Sequence, residues 1–192
     1  MVIREKADLG LAFDGDGDRL GVVDGNGQVV WPDRQMILFA RDLLSREPGA
    51  KVVYDVKCSR LLTKEISRQG GVSIMSKTGH SFIKKKMLET GALLGGEMSG
   101  HIFLKERWYG FDDAICSAIR LLEILCRSKT PVASILSSLP AGVSTPELSL
   151  SLIEGEPQRI IERIQNSVSF DGGSISKVDG LRVDFEHSWG SV

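Results

Sequence analysis

Three aspartates alternate with two glycines in Asp14-Gly15-Asp16-Gly17-Asp18, and Arg19 closes the run. Alternation in a tight loop aims several carboxylate oxygens at one centre, and the glycines supply the backbone angles such a loop needs. Three close carboxylates repel one another, which disfavours the charged form of each. A hard divalent cation removes that cost, and Mg²⁺ prefers oxygen ligands. Asp14, Asp16 and Asp18 are therefore a candidate metal site, since Arg19 alone does not balance three charges. An EF-hand shares the Asp-x-Asp-x-Asp spacing but needs Gly at its sixth position and Glu at its twelfth. Here those positions hold Arg19 and Gly25, which excludes it.

Two further stretches carry chemistry. Gly95-Gly96-Glu97-Met98-Ser99-Gly100-His101 places a carboxylate, a hydroxyl and an imidazole in one glycine-rich loop. Glu97 accepts from sugar hydroxyls, Ser99 donates or accepts, and glycines let a ligand approach the backbone. The same residues also suit a purely structural turn. Lys77-Thr78-Gly79-His80-Ser81 opens a predicted helix, whose N-terminus favours anions. His80 is suited to proton transfer or phosphate contact, although a histidine in a loop is often only a structural residue. Lys57 follows a predicted strand, and ligands of α/β sheets bind at such strand ends. Lys57, His80 and Glu97 thus converge on three strand ends, which strengthens each. Lys84-Lys85-Lys86 reads as a solvated helix face, and Trp108-Tyr109-Gly110-Phe111 as an aromatic loop that either packs or meets ligand. His187 and Trp189 have no evident partner in the sequence.

The elements that position these groups follow from hydrophobic periodicity. Residues 8–13 read as a short buried strand and 20–24 as a second. Asp24-Gly25-Asn26-Gly27 is a hairpin signal, with a return over 28–31. Helices are predicted from Pro32 to about Ser45, from Ser59 or Arg60 to Gln69, from a Ser81 cap to Thr90, and from Phe111 or Asp112 to Arg127. Strands are predicted at 51–56, 72–75 and 92–96. This alternation argues an α/β unit with a mixed, mainly parallel sheet flanked by helices. A short helix near 132–139 follows. The pattern then changes to a strand at 148–153, a helix at 157–166 and a hairpin from 174–178 to 181–185, a small α+β element. The expected divisions are 1–27, a strand hairpin with the acidic loop; 28–140, the α/β unit; and 141–192, a partial α+β domain.

Of the 192 residues, 42% are hydrophobic and 26% charged, which excludes collagen-like, disordered and disulfide-scaffold chains. Lys plus Arg total 24 against 25 Asp plus Glu, so a net charge of −1 argues against a nucleic-acid or anionic-membrane partner. No apolar run approaches the roughly 20 residues of a membrane helix, and charged residues follow Met1-Val2-Ile3 at once, with no secretory leader pattern. Cys58, Cys116 and Cys126 fit no zinc spacing and read as reduced, buried thiols of a cytoplasmic protein.

Phe13-Asp14-Gly15-Asp16 resembles the Asp-x-Asp-x-Thr nucleophile motif of haloacid-dehalogenase-type phosphatases, with Asp14 as nucleophile and Asp112-Asp113 as a second acidic pair. Against it, Asp18 stands in the threonine position, and Asp112-Asp113 follows a Phe rather than a strand. A fuller resemblance rests on four motifs in order. They are Phe13 to Arg19, Asp55-Val-Lys-Cys-Ser-Arg60, Lys77-Thr-Gly-His-Ser81 and Gly96-Glu-Met-Ser-Gly-His101. Together they resemble the α-D-phosphohexomutase family over essentially the whole chain.

That resemblance implies the end of domain 2, all of domain 3 and the first half of domain 4 of a four-domain enzyme. The activity implied moves a phosphoryl group between the 1- and 6-oxygens of mannose or glucose, through a phosphoserine and a bisphosphorylated sugar. Asp14, Asp16 and Asp18 are then Mg²⁺ ligands. Arg19 steadies the phosphoryl group, Glu97 and Ser99 bind sugar hydroxyls, and Lys57, His80 and His101 line the pocket for proton transfer or phosphate contact. The implied partners are hexose phosphates and the N-terminal domains, whose phosphoserine loop has no counterpart here. The chain alone is expected to be inactive. A non-catalytic sugar-phosphate-binding module is the other expectation.

Overall fold

In a computed structural model, which describes residues 1–167 and 169–192, the chain divides into two compact units, Met1–Ala141 and Gly142–Val192. The first unit opens with a short helix α1 (Val2–Glu5) and an antiparallel sheet of β1 (Leu9–Phe13), β2 (Leu20–Asp24) and β3 (Val29–Val30). Asp24 fixes the turn between β2 and β3, because its side chain accepts from the backbone N–H groups of Asn26 and Gln28. The expected burial of β1 does not hold. The strand is half-buried, and its last residue Phe13 is exposed.

Helix α2 (Pro32–Arg46) starts with proline at its first position, where the missing N–H costs nothing. Then follow β4 (Lys51–Asp55), α3 (Arg60–Arg68), β5 (Val72–Ser76), α4 (His80–Thr90), β6 (Leu94–Gly96), β7 (Ile102–Leu104), α5 (Ala114–Arg127) and α6 (Val132–Ser137). The central sheet has the order β5-β4-β6-β7, with β4 parallel to β5 and β6, and β7 antiparallel to β6. It is the mixed, mainly parallel sheet expected.

Helix α4 covers one face of this sheet through Ile83 and Met87, packed with Val53 and Phe103. The larger core lies on the other face, where Met36, Phe39 and Leu43 of α2 meet Leu62 of α3, Leu121 of α5 and Leu94 of β6. Truncating any of these fully buried side chains to alanine costs about 2–5 kcal/mol. Two of the three residues of β6, Gly95 and Gly96, lie close against the helices on the two faces. A Cβ on Gly95 would run into Met87 and Ile83 of α4, and one on Gly96 into Met36 of α2.

Three boundaries differ from expectation. Strand β7 was not expected. Helix α4 begins at His80 and is capped by Gly79, whose carbonyl accepts from Phe82 and Ile83, so Ser81 sits inside the first turn rather than at the cap. Helix α5 begins at Ala114, with Asp113 as its N-cap accepting from the Cys116 N–H at 2.8 Å.

The second unit contains α7 (Glu156–Ser167) and an antiparallel sheet β10-β9-β8 built from β8 (Ser174–Ser176), β9 (Arg182–Asp184) and β10 (Trp189–Ser191). Arg182 is its anchor. Buried to 1% exposure, it forms two parallel bonds to Asp184 at 2.8 and 2.9 Å and lies 4.1 Å from the Trp189 ring centroid. Trp189 thus has a partner the sequence did not reveal. Residues 148–153, expected as a strand, are extended coil with Leu148 and Leu150 exposed. Alternation supplies a face, but a strand also needs a neighbour to satisfy its backbone.

Among the described residues, no helix is long and apolar enough to cross a membrane. All three cysteines are free, but only Cys58 is buried; Cys116 is half-buried and Cys126 exposed, which corrects the expectation of three buried thiols.

Candidate functional site

The chain leaves β4 toward β5 and leaves β6 toward β7, so its connections part at the carboxyl ends of β4 and β6, the place where open α/β sheets bind ligands. Asp55 ends β4 there and is completely buried. Its Oδ1 accepts from the Met98 N–H at 3.2 Å and from the Cys58 thiol at 3.1 Å, tying the turn after β6 to the turn after β4. Its Oδ2 is buried and has no hydrogen-bond partner among the described residues. Burial pushes the Asp55 carboxyl up, against the bonds from Cys58 and Met98.

Glu97 begins the turn between β6 and β7 and is 1% exposed. Its Oε1 accepts from the Gly79 N–H at the start of α4. Burial pushes its carboxyl up, the Gly79 bond opposes this, and the neighbouring Asp55 adds to the rise. Ser99 sits exposed on the same turn, and Lys57 is exposed beyond the end of β4. The turns after β4, β5 and β6 therefore carry Lys57, His80 and Glu97 at the same edge of the sheet, as the spacing suggested.

The acidic loop is delivered to this edge by the β1–β2 hairpin. Arg19 and His101 pair in an antiparallel bridge, and the Leu20 N–H donates to the Gly100 carbonyl at 3.1 Å. The Ala114 N–H donates to the Gly17 carbonyl at 3.0 Å, which fastens the loop to the start of α5. Within the loop, Asp14 Oδ1 accepts from the backbone N–H groups of Asp18 and Arg19 at 3.2 and 3.1 Å. Asp14 Oδ2 lies 2.7 Å from Arg19 Nε, and Asp18 Oδ1 lies 3.6 Å from it, but neither oxygen is aligned for a hydrogen bond. Burial raises the Asp14 carboxyl; the backbone and guanidinium of Arg19 outweigh it, so the group sits below its ordinary value. Asp18 moves the other way, raised by burial and by Asp16 and Asp14, with His101 opposing.

One oxygen from each of Asp14, Asp16 and Asp18 lies within 4.8 Å of the others. The set is all oxygen, has two buried oxygens without hydrogen bonds, and is served by one guanidinium for three carboxylates. These residues fit a hard divalent cation such as Mg²⁺.

A second cluster joins the loop to the Glu97–Gly100 turn. Asp112 Oδ2 lies 3.0 Å from His80 Nδ1 and 3.2 Å from His101 Nδ1, while Asp112 Oδ1 accepts from Lys84 Nζ at 3.1 Å. The two imidazoles stack with centroids 5.7 Å apart, and His101 Nδ1 is 3.5 Å from Asp18 Oδ2. Burial raises the Asp112 carboxyl; Lys84 and His80 outweigh it and hold the group below its ordinary value.

The arrangement brings together eight of the nine residues singled out from the sequence: Asp14, Asp16, Asp18, Arg19, His80, Glu97, Ser99 and His101 share the loops just described, and Lys57 stands at the adjacent strand end. Sequence reasoning missed Asp55 as the support of the Glu97–Gly100 turn and Asp112 as the residue between His80 and His101. It read Lys84, Lys85 and Lys86 as one solvated face, whereas Lys84 reaches Asp112 while Lys85 and Lys86 each pair with Glu89. The aromatic loop remains on the surface, where Trp108, Tyr109 and Phe111 contact one another.

Both oxygens of Asp14 are set against neighbouring groups of its hairpin. One oxygen is held by two backbone donors and the other faces Arg19, and β1 belongs to the antiparallel sheet rather than the parallel one.

Residues 31–142 match the family model described as phosphoglucomutase/phosphomannomutase, alpha/beta/alpha domain III. A phosphomannomutase/phosphoglucomutase of Pseudomonas aeruginosa is 54% identical over 98% of this chain and 41% of its own length. A phosphoglucomutase of Neisseria gonorrhoeae is 54% identical over 96% of this chain and 40% of its own. The crystal structure of a phosphoglucomutase/phosphomannomutase family protein from Burkholderia thailandensis superposes with a TM-score of 0.92 at 50% identity, covering 99% of this chain and 40% of that one. The chain thus spans about two fifths of the length of these relatives.

Proposed function

Because the chain belongs to the phosphoglucomutase/phosphomannomutase family, we propose that it supplies the metal-binding and sugar-binding part of a phosphohexomutase, which moves a phosphoryl group between O1 and O6 of glucose and mannose. The observation that carries this reading is the Arg19–His101 bridge, which sets the acidic loop beside the Glu97–Gly100 turn. Charge neutralisation and hydroxyl recognition are thereby available within one site. Both sugars appear in the names of the similar proteins, as phosphomannomutase/phosphoglucomutase and as phosphoglucomutase.

In this reading each residue has a defined task. Asp14, Asp16 and Asp18 would hold Mg²⁺, which when bound neutralises charge on the transferring phosphoryl oxygens. Arg19, half-exposed beside Asp14, directs its free guanidinium donors to that phosphoryl group. Glu97 gives one oxygen to Gly79 and keeps the other for a sugar hydroxyl, with Ser99 as a second hydrogen-bonding partner. Lys57 contributes positive charge at the end of β4. His80 and His101 hold or release the proton of the hydroxyl that attacks or leaves. The donor serine of the family has no matching motif among these residues, so the chain does not turn over by itself.

Calorimetric titration tests the binding half of this reading. Mg²⁺ and then glucose 1-phosphate are expected to bind, with Asp16→Asn removing the first event and Glu97→Gln weakening the second by tenfold or more. Equal binding by wild type and both variants contradicts the assignment.

A further inference from the structure

We infer that Asp112 is a positioning residue for His80: it fixes the ring as the Nδ1–H tautomer and so leaves the unprotonated Nε2, on the opposite edge of the ring, as the acceptor it offers a ligand. The inference rests on the mutase reading only for what the ligand is.

The observations concern a single carboxylate. Asp112 is nearly buried, with 7% of its side chain exposed, and its side-chain partners come from α4 and from the residue that follows the β6 turn. Lys84 on α4 binds its Oδ1 at 3.1 Å. His80, at the start of the same helix, meets its Oδ2 at 3.0 Å. His101, beyond the turn from β6, comes within 3.2 Å of the same Oδ2 but is not aligned for a hydrogen bond. The next residue, Asp113, performs the helix cap that an aspartate at this point usually provides. Asp112 is thereby released from capping and turned toward the two rings.

Which proton His80 carries depends on a competition. An ionised carboxylate only accepts, so it selects N–H at Nδ1; an ammonium only donates, so it selects a bare Nδ1. Lys84 Nζ approaches the same nitrogen, but at 3.5 Å, and it already donates to Asp112 at the shorter distance. Asp112 stands 0.5 Å closer to Nδ1 than Lys84 does, by the difference of 3.0 and 3.5 Å. Lys84 also helps to keep Asp112 ionised and therefore a pure acceptor. The closer acceptor wins, and Lys84 braces it. This is the arrangement in which a carboxylate sets the tautomer and orientation of a working histidine.

The chain has three histidines, so their ring signals are resolvable, and the exposed His187 serves as the internal reference. ¹⁵N–¹H correlation of the ring nitrogens is recorded on the whole chain without ligand, about two pH units above the ordinary histidine value of about 6.5. The expected result is the Nδ1–H pattern for His80 in wild type, with His187 showing the ordinary mixture dominated by Nε2–H. In Asp112→Ala, His80 is expected to move to the His187 pattern. Asp112→Asn, which keeps a carbonyl acceptor, restores part of the Nδ1–H population. An Nε2–H pattern for His80 in wild type overturns the inference without recourse to any variant, so a variant that fails to fold does not shelter it. Retention of Nδ1–H in a folded Asp112→Ala overturns it too. Glucose 1-phosphate is then added to wild type as the separate arm. Failure to bind, with the tautomers as expected, refutes the mutase reading and leaves the role of Asp112 standing.

Discussion

Arg19 and His101 face each other across an antiparallel bridge, so the end of the acidic loop and the end of the Glu97–Gly100 turn move as one piece. Gly100 makes this possible. Its φ of +105° places it in a region that side chains rarely adopt, and an added Cβ would sit 3.4 Å from the Leu20 carbonyl and 3.5 Å from the Arg19 Cβ. Gly100→Ala is expected to cost about 1–3 kcal/mol through backbone strain, read as a lower urea midpoint, and to weaken Mg²⁺ binding at a distance from the metal ligands. Unchanged stability and unchanged metal binding would show that the two loops are independent.

The metal site has a direct thermodynamic signature. Mg²⁺ at about one hundred times its dissociation constant is expected to stabilise the chain by about 2.7 kcal/mol, seen as a rise in Tm that EDTA reverses. Asp16→Asn is expected to abolish the rise while leaving the metal-free Tm nearly unchanged, since Asp16 is exposed. Equal Mg²⁺ stabilisation of wild type and variant would place the cation elsewhere.

Glu97 lies on the costly side of burial. Its folded-state proton affinity is raised, so the native chain binds its proton more readily than the unfolded chain does. Stability is therefore reduced wherever Glu97 is ionised, and that cost lifts as the pH falls through its raised value. Glu97→Gln is expected to leave neutral-pH stability equal or higher and to impair only hexose phosphate binding. A large loss of stability would mean that the carboxylate serves the fold rather than the ligand.

Glu65 shows the opposite sign. Bonds from Arg68, at 2.6 and 3.1 Å, and then from Arg41 and Gln69, outweigh burial and hold its carboxyl down at about 2, against an ordinary 4.5. The stabilisation is complete above about 4.5 and is lost as the pH falls toward about 2. Glu65→Gln is expected to cost about 2 kcal/mol at pH 7 and to flatten the acid limb of the stability curve. An acid limb unchanged in Glu65→Gln would contradict this.

The sequence displayed the site's ligating groups more clearly than their supports. Asp14, Asp16 and Asp18 announce themselves because carboxylates at such density need a counter-charge, and Lys57, His80 and Glu97 because each follows a predicted strand. Asp112 was harder to place, since the sequence set it at the start of a helix or in an acidic pair with Asp113, and only the structure shows Asp113 as the cap and Asp112 turned toward His80. Lys84 was hidden in a lysine run whose other members are solvated. Strand β7 escaped because Ile102-Phe103-Leu104 is short and apolar throughout, which shows no period. Leu148, Leu150 and Leu152 misled for the converse reason, a clear period without a partner strand.

The central claim, a mutase site rather than a phosphatase, is tested most directly by ³¹P NMR of glucose 1-phosphate with this chain, Mg²⁺ and a trace of glucose 1,6-bisphosphate. No free phosphate is expected, and interconversion with glucose 6-phosphate is expected to begin once the phosphoserine-bearing N-terminal portion of a relative is supplied. Release of inorganic phosphate that disappears in Asp14→Asn would make Asp14 a nucleophile and contradict the claim.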